Sequence, residues 1–275
     1  MIVDYHMHLR RGESDDVEMT DHSLDAVERY VAAARAVGVD EIGISEHVYY
    51  FRETRHLWHM PYHLEHCVCE LEPYLAAIDE AKRRGLPVKL GIEVDYEPAR
   101  EDDTRAWLGR HEWDFVLGSI HFVDGLGIDS RPRLIDEVGV EETWRRYFDA
   151  LAAAAASGLF DSLAHPDLVK MWGDRPAPQV ENELFERFAD DAAAAGVCVE
   201  VSTRGLLRPV AEPYPDRRLL VACRERDVPV TLASDAHSVD RVGWRFDEAL
   251  ALMRRSGYET LTVFERREPR QVALA

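Results

Sequence analysis

The sequence predicts an α/β fold in which a parallel sheet closes into a barrel. Three observations carry this. Short apolar runs rich in Val and Ile alternate with amphipathic helical stretches along all 275 residues. Seven or eight such repeats fit, enough for closure rather than an open sheet. Apolar runs also end repeatedly in histidine or a carboxylate, and a parallel barrel gathers all strand ends on one face. No repeat at a period of roughly 20–50 residues, low-complexity tract or linker interrupts the chain, so residues 1–275 are read as one domain.

The elements follow in order. Ile2–Tyr5 is the first strand. Ser23–Val37 is a helix, with Ser23 as N-cap and Gly38 as its stop. "VDEIGIS" is a strand, "LAAIDEAKRRG" a helix, "VKLGIEV" and "WDFVLGSI" strands. The helix "EETWRRYFDALAAAAASG" leads to the strand "FDSLA", "ENELFERFADDAAAAG" to "VCVEVS", "DRRLLVACRERD" to "VPVTLAS", and "RFDEALALMRRSG" to "ETLTVFE". Residues 49–71 break the rhythm. This His- and aromatic-rich insertion is expected to be a lid or substrate wall. Within it His56, His59, His63 and His66 suggest a second metal site, but Pro61 discourages a regular helix through them, and a wall is preferred.

The net charge of −19 disfavours nucleic acid as a partner and requires local positive charge wherever a phosphate is held. No apolar run approaches the roughly 20 residues of a membrane helix, so no membrane partner is expected. There is no signal-peptide pattern, since Asp4 and His6 come at once. Cys67, Cys69, Cys198 and Cys223 form no disulfide framework, which fits a reducing, cytoplasmic setting. A zinc role for Cys67 and Cys69 lacks a second cysteine pair.

The strand ends carry the chemistry. In order they supply Asp4, His6 and His8; Glu46 and His47; Glu93 and Asp95; His121; His165 and Asp167; Glu200, Ser202 and Arg204; Asp235 and His237. One strand-end histidine is ordinarily a satisfied polar residue. Six of the twelve histidines, with Glu93 and Asp235, are different. Such a set would repel itself if protonated, and neutral imidazole and carboxylate are the ligands that suit Zn, Mn or Fe. Eight ligands exceed the needs of one ion, so two or three divalent ions sharing a carboxylate are expected. His6 and His8 alternate on a strand and can face one ion.

"DYHMH", "SEH", "GIEVDY", "GSIHF", "AHPDLVK" and "SDAH", in that order, resemble the polymerase-and-histidinol-phosphatase (PHP) superfamily. "EVSTRGLLRP" and "LASDAHSVDRVG" resemble its histidinol-phosphatase branch. The resemblance covers almost the whole chain. It implies a distorted (β/α)7 barrel with a trinuclear metal site, leaving "ETLTVFE" as an extra short strand. It further implies a first ion on His6, His8, Glu93 and Asp235, a second on Glu93, His121 and His165, and a third on His47 and His237. Relatives often add a histidine from the loop after H-x-H. Here that loop offers only Asp16, Glu18 or His22, and counting back from the helix favours Glu18.

The expected reaction is hydrolysis of a phosphomonoester by a metal-bridging hydroxide, with Glu93, His121 and Asp235 at its centre and a small phosphorylated metabolite, L-histidinol phosphate, as substrate in histidine biosynthesis. Ser202, Arg204 and Arg208 are candidates to hold the substrate, since guanidinium suits a phosphate fork. A related phosphatase or phosphodiesterase on another small metabolite is the alternative. A nuclease lacks a basic, aromatic-studded groove. A metal-dependent amidohydrolase would want a strand-end lysine, and neither Lys89 nor Lys170 ends a strand. A non-catalytic metal-binding module fits poorly with open ligand positions at so many strand ends.

Overall fold

The computed structural model describes residues 1–12, 17–131 and 133–275. The seven parallel strands of the barrel are β1 (Val3–Asp4), β2 (Glu41–Ile44), β3 (Val88–Asp95), β4 (Phe115–Ser119), β7 (Ser162–Leu163), β8 (Cys198–Ser202) and β9 (Val230–Ala233). A small antiparallel hairpin, β5 (Phe122–Val123) with β6 (Leu126–Gly127), stands on the strand-end face between β4 and β7. Neighbours in the wall are neighbours in the chain, as short right-handed crossovers dictate. The last strand returns to the first. Tyr5 N donates to Leu232 O at 3.1 Å, and Met7 bridges Ala236 in parallel.

The helices are α1 (Leu24–Ala36), α2 (Pro61–His66), α3 (Leu71–Arg83), α4 (Glu101–Leu108), α5 (Leu134–Val138), α6 (Val140–Ala156), α7 (Pro178–Ala195), α8 (Arg217–Glu225) and α9 (Phe246–Arg255). Ser23 caps α1 by accepting from Ala26 N at 3.2 Å. The expected βα alternation is present. Helix α4 was not expected, because only Thr104, Trp107 and Leu108 mark its buried stripe in eight residues. "ETLTVFE" stands outside the seven wall strands, as the resemblance implied. It forms β10 (Thr260–Glu265), which pairs antiparallel with β11 (Glu268–Ala273).

That hairpin closes the end of the barrel opposite the strand-end face. Phe264 lies 6.0 Å from Tyr5 and 6.2 Å from Phe115, and Tyr5 stacks on Phe115 at 5.2 Å. The aromatic plug needs space, and glycine supplies it. A Cβ on Gly91 would stand 2.2 Å from Phe115 Cζ, and one on Gly43 2.5 Å from Phe115 Cε1. On β3, Gly91, Glu93 and Asp95 share a face. The same face therefore admits the plug at one end and presents carboxylates at the other.

The loop after β7 is locked from behind. Asp167 Oδ2 accepts from Asp216 N at 2.6 Å and lies 2.9 Å from Lys170 Nζ, which also donates to Pro213 O at 2.8 Å. Asp216 caps α8 by accepting from Arg218 N at 2.8 Å. Burial works against charge on Asp216, but its hydrogen bonds from Arg218 and the field of Lys170 hold its carboxyl down at about 2.

Two outcomes are expected. Gly91→Ala overpacks the plug and lowers stability by about 1–3 kcal/mol, read as a depressed melting temperature. Asp216→Ala costs about 1 kcal/mol at pH 7. Because the folded carboxyl titrates below the unfolded one, that difference persists above about pH 4 and closes as the pH falls towards 2, as acid-titrated denaturation of both proteins would show.

Candidate metal centre

The residues that follow each wall strand meet at one face, and Glu93 is at their centre. Its Oε2 lies 3.4 Å from His6 Nε2, 3.6 Å from His8 Nε2 and 2.7 Å from His47 Nδ1. Its Oε1 lies 3.6 Å from His121 Nε2 and 3.4 Å from His165 Nε2. Ser119, two strand positions before His121, donates a hydroxyl to the same Oε1. Asp235 Oδ1 closes the other side, 3.8 Å from His6 Nε2, 3.7 Å from His8 Nε2 and 3.3 Å from His237 Nδ1. All eight side chains are buried.

Potential ligand atoms form four overlapping groups among the described residues: His6, His8 and Glu93; His6, His165 and Asp235; His47, Glu93 and His121; and His8, His47 and His237. Within each group the atoms lie within 4.8 Å of one another. The donor set fits divalent ions. His6 Nε2, both ring nitrogens of His8, His47 Nδ1 and Glu93 Oε2 are buried and have no hydrogen-bond partner among the described residues. His47 and Glu93 approach to 2.7 Å without hydrogen-bond alignment. Buried polar atoms that converge without pairing among themselves are the signature of a coordination site. His8 belongs to two of these groups, the first and the fourth.

Outer carboxylates aim these ligands. Glu200 Oε2 meets His6 Nδ1 at 2.9 Å, while its Oε1 accepts from His165 N at 3.2 Å, so one side chain positions two ligands from different strands. Asp95 Oδ1 meets His121 Nδ1 at 2.6 Å. Glu46 accepts from Leu9 N at 2.7 Å and stands 3.6 Å from His8 Nδ1. Carboxylate–histidine–metal chains of this kind fix ring orientation and raise ligand basicity. Two ligands also hold strained backbone. His165 has φ 28° and Asp235 φ 51°, a region that costs about 1–3 kcal/mol for a non-glycine residue.

The charges are balanced inside the site. Burial alone would raise Glu93, yet His47, His6 and His121 outweigh it and hold the carboxylate well below its usual range. Burial pushes His8 down to about 3, with His47 adding to the effect. It opposes charge on His121 too, but Asp95 raises that imidazole to about 10.

The other expected site residues are distributed as follows. Arg204 and Arg208 line a small well of about 80 Å³ together with Glu93, His121, His165 and Asp235. Arg208 Nε is buried without a hydrogen-bond partner among the described residues. Ser202 is sealed beneath the well, where its Oγ accepts from Arg204 N at 3.3 Å. His22 backs Glu46 at 3.4 Å and belongs to none of the four groups. Glu18 is exposed on a short helical turn, and Asp16 lies outside the described residues. Lys89 sits with Glu41 at 3.7 Å and Glu265 at 3.9 Å, and Lys170 is held by Asp167.

The insertion differs from expectation in one respect. Pro61 does not prevent a helix but begins one. It occupies the first turn of α2, where its missing N–H costs nothing. The helix delivers His63 to Asp95, Nε2 to Oδ2 at 2.7 Å, so one carboxylate joins the insertion to His121. Tyr49 stacks on His47 at 4.9 Å. Sequence reasoning placed Glu46, Asp95 and Glu200 at strand ends without giving them these orienting parts. The alternation Glu93-x-Asp95 was the available signal for one. Nothing local marked His63.

Comparison with known proteins agrees with this architecture. A family model described as the PHP domain matches residues 5–204. A protein of Deinococcus radiodurans named "Probable histidinol-phosphatase" is 32% identical over 253 residues, covering 90% of this chain and 93% of its own length. A Clostridium acetobutylicum protein of the same name is 25% identical, over 62% of this chain and 69% of its own. Among solved structures, a histidinol phosphate phosphatase of Lactococcus lactis, crystallised with zinc, L-histidinol and phosphate, superposes with a TM-score of 0.76. It covers 98% of both chains at 18% identity, a likeness of fold.

Glu200→Gln should loosen His6 and His165 together and lower affinity for a divalent ion about 10–100-fold, measured by metal titration calorimetry. Affinity within two-fold of wild type would remove Glu200 from the orienting role.

Proposed function

Because this chain belongs to the PHP family, in its histidinol-phosphatase branch, we propose that this metal-dependent phosphoesterase hydrolyses L-histidinol phosphate to L-histidinol and phosphate. The observation that carries the reading is the buried Glu93 among five imidazoles, with unpaired ligand atoms facing the well that Arg204 and Arg208 also line. His6, His8, Glu93 and Asp235 would hold one ion, Glu93, His121 and His165 a second, and His47 with His237 a third. Zinc, manganese or iron suits these donors. Bound ions would lower the pKa of a water and neutralise the ester oxygens, the chemistry phosphoryl transfer needs.

The chain's own residues position the rest. Arg204 and Arg208 flank the well and grip the phosphate oxygens, as two guanidinium groups in an otherwise acidic molecule are suited to do. Asp95 and Glu200 keep the rings of His121 and His6 from rotating, and Glu200 also holds the backbone of His165, so the ligand frame is formed before substrate arrives. The insertion would serve as a wall, with Tyr49 against His47 and His63 on Asp95. No helix among the described residues is long and apolar enough to cross a membrane.

The test is phosphate release from L-histidinol phosphate, compared with bis-p-nitrophenyl phosphate and a dipeptide. The first is expected to be preferred. His121→Ala should lose about 100-fold or more in turnover with an unchanged circular dichroism spectrum. Dialysis against a chelator should abolish activity, and a divalent ion should restore it. Turnover by His121→Ala within a few-fold of wild type would sink the assignment.

A further inference from the structure

Beside the metal well lies a second, larger cavity of about 550 Å³. The insertion, the loop after β3, the β5–β6 hairpin and one side of α6 line it. His121 and Phe122 line both spaces. The well, at about 80 Å³, has room for a phosphate group and little more. The remainder of an ester whose phosphate sits there can extend past Phe122 into the larger cavity.

The chemistry of the larger cavity is selective. Trp58, Tyr96 and Phe122 give it aromatic walls. Glu97, Asp124 and Asp149 face it, and Arg146 is the one guanidinium among its lining residues. These carboxylates are not equivalent. Asp124 is paired with Arg146 at 2.9 Å and Asp149 with Arg187 at 2.6 Å. Glu97 has the imidazole of His59 at 3.7 Å, too far for a hydrogen bond, and its side chain keeps 24% of its exposure. A carboxylate that is sheltered yet weakly engaged, in a cavity that an indole also lines, is suited to an ammonium group. The wall is also rigid. Trp58 packs on His63 at 4.6 Å, and His63 is tied through Asp95 to His121.

We propose that this cavity receives the organic part of the phosphomonoester and selects a cationic amine there, with Glu97 as the residue that determines the preference. The inference rests on the function proposed above and adds where and how the leaving alcohol is recognised. It predicts that esters of amino alcohols are favoured over those of neutral or acidic alcohols, which the carboxylate wall leaves unpaired or repels.

The experiment measures binding of L-histidinol and of inorganic phosphate to the metal-loaded protein by calorimetry, for wild type and Glu97→Gln. The substitution is isosteric and lies outside the barrel core. It is expected to weaken L-histidinol about ten-fold more than it weakens phosphate, and Glu97→Lys should widen that gap. No binding of L-histidinol to wild type, equal affinity in Glu97→Gln, or parallel loss for both ligands would each overturn the proposal. Catalytic failure is distinguishable. If Glu97-dependent binding of L-histidinol is found but no phosphomonoester releases phosphate, the cavity assignment stands and the proposed reaction falls.

Discussion

A buried carboxylate in a low-dielectric interior must be neutralised, protonated or lost, and Glu93 is the carboxylate on which this molecule turns. Its field is met from five directions by imidazoles that arrive from four different strand ends. Desolvation of a charge is costly enough that removing partners from such a cluster is far worse than never building it. The barrel makes the arrangement attainable, since parallel closure brings His6 and His165, 159 positions apart in the chain, to ring centres 5.6 Å apart. The fold and the site are therefore one constraint. A wall strand out of register by one residue would turn its ligand away from Glu93.

Around this centre the molecule is built in shells of alternating sign. Carboxylates at the core are met by imidazoles, and the outward nitrogens of those imidazoles are met by further carboxylates, Glu200, Asp95 and Glu46. Beyond Asp95 stands His63, and beyond Glu46 stands His22. The alternation explains how so many ionisable groups remain buried without mutual repulsion. It also explains why the insertion is an ordered wall: its helix is anchored by a hydrogen bond to a group that already serves a ligand. Strain at His165 and Asp235 is tolerated because the surrounding bonds over-determine both positions.

Much of this was legible in the residues. Short apolar runs alternating with helical stretches, and the polar ends of those runs, revealed the parallel barrel, because strand-forming runs and strand-end chemistry are local properties. His6, His8, His47, Glu93, His121, His165, Asp235 and His237 all fall at the strand-end face for that reason. What escaped was non-local. Helix α4 is too short for its stripe to stand out. The terminal strand could be set apart from the seven of the wall, but nothing in "ETLTVFE" says that it pairs backwards with β11. Pro61 was weighed as a breaker, when its place in the first helical turn made it a starter. The parts played by Glu200 and His63 depend on contacts 194 and 32 residues away, which no window of sequence displays.

The candidate coordination site is spread over most of the polypeptide, from His6 just after β1 to His237 after β9. A chain still emerging from the ribosome has H-x-H in hand long before it has the final aspartate and histidine. The complete set of ligands exists only once β9 has docked against β1. The free energy of capturing an ion would thus fall on the circular closure itself, so a bound cation would act as a clasp that rewards a finished ring over any open or partly wound intermediate.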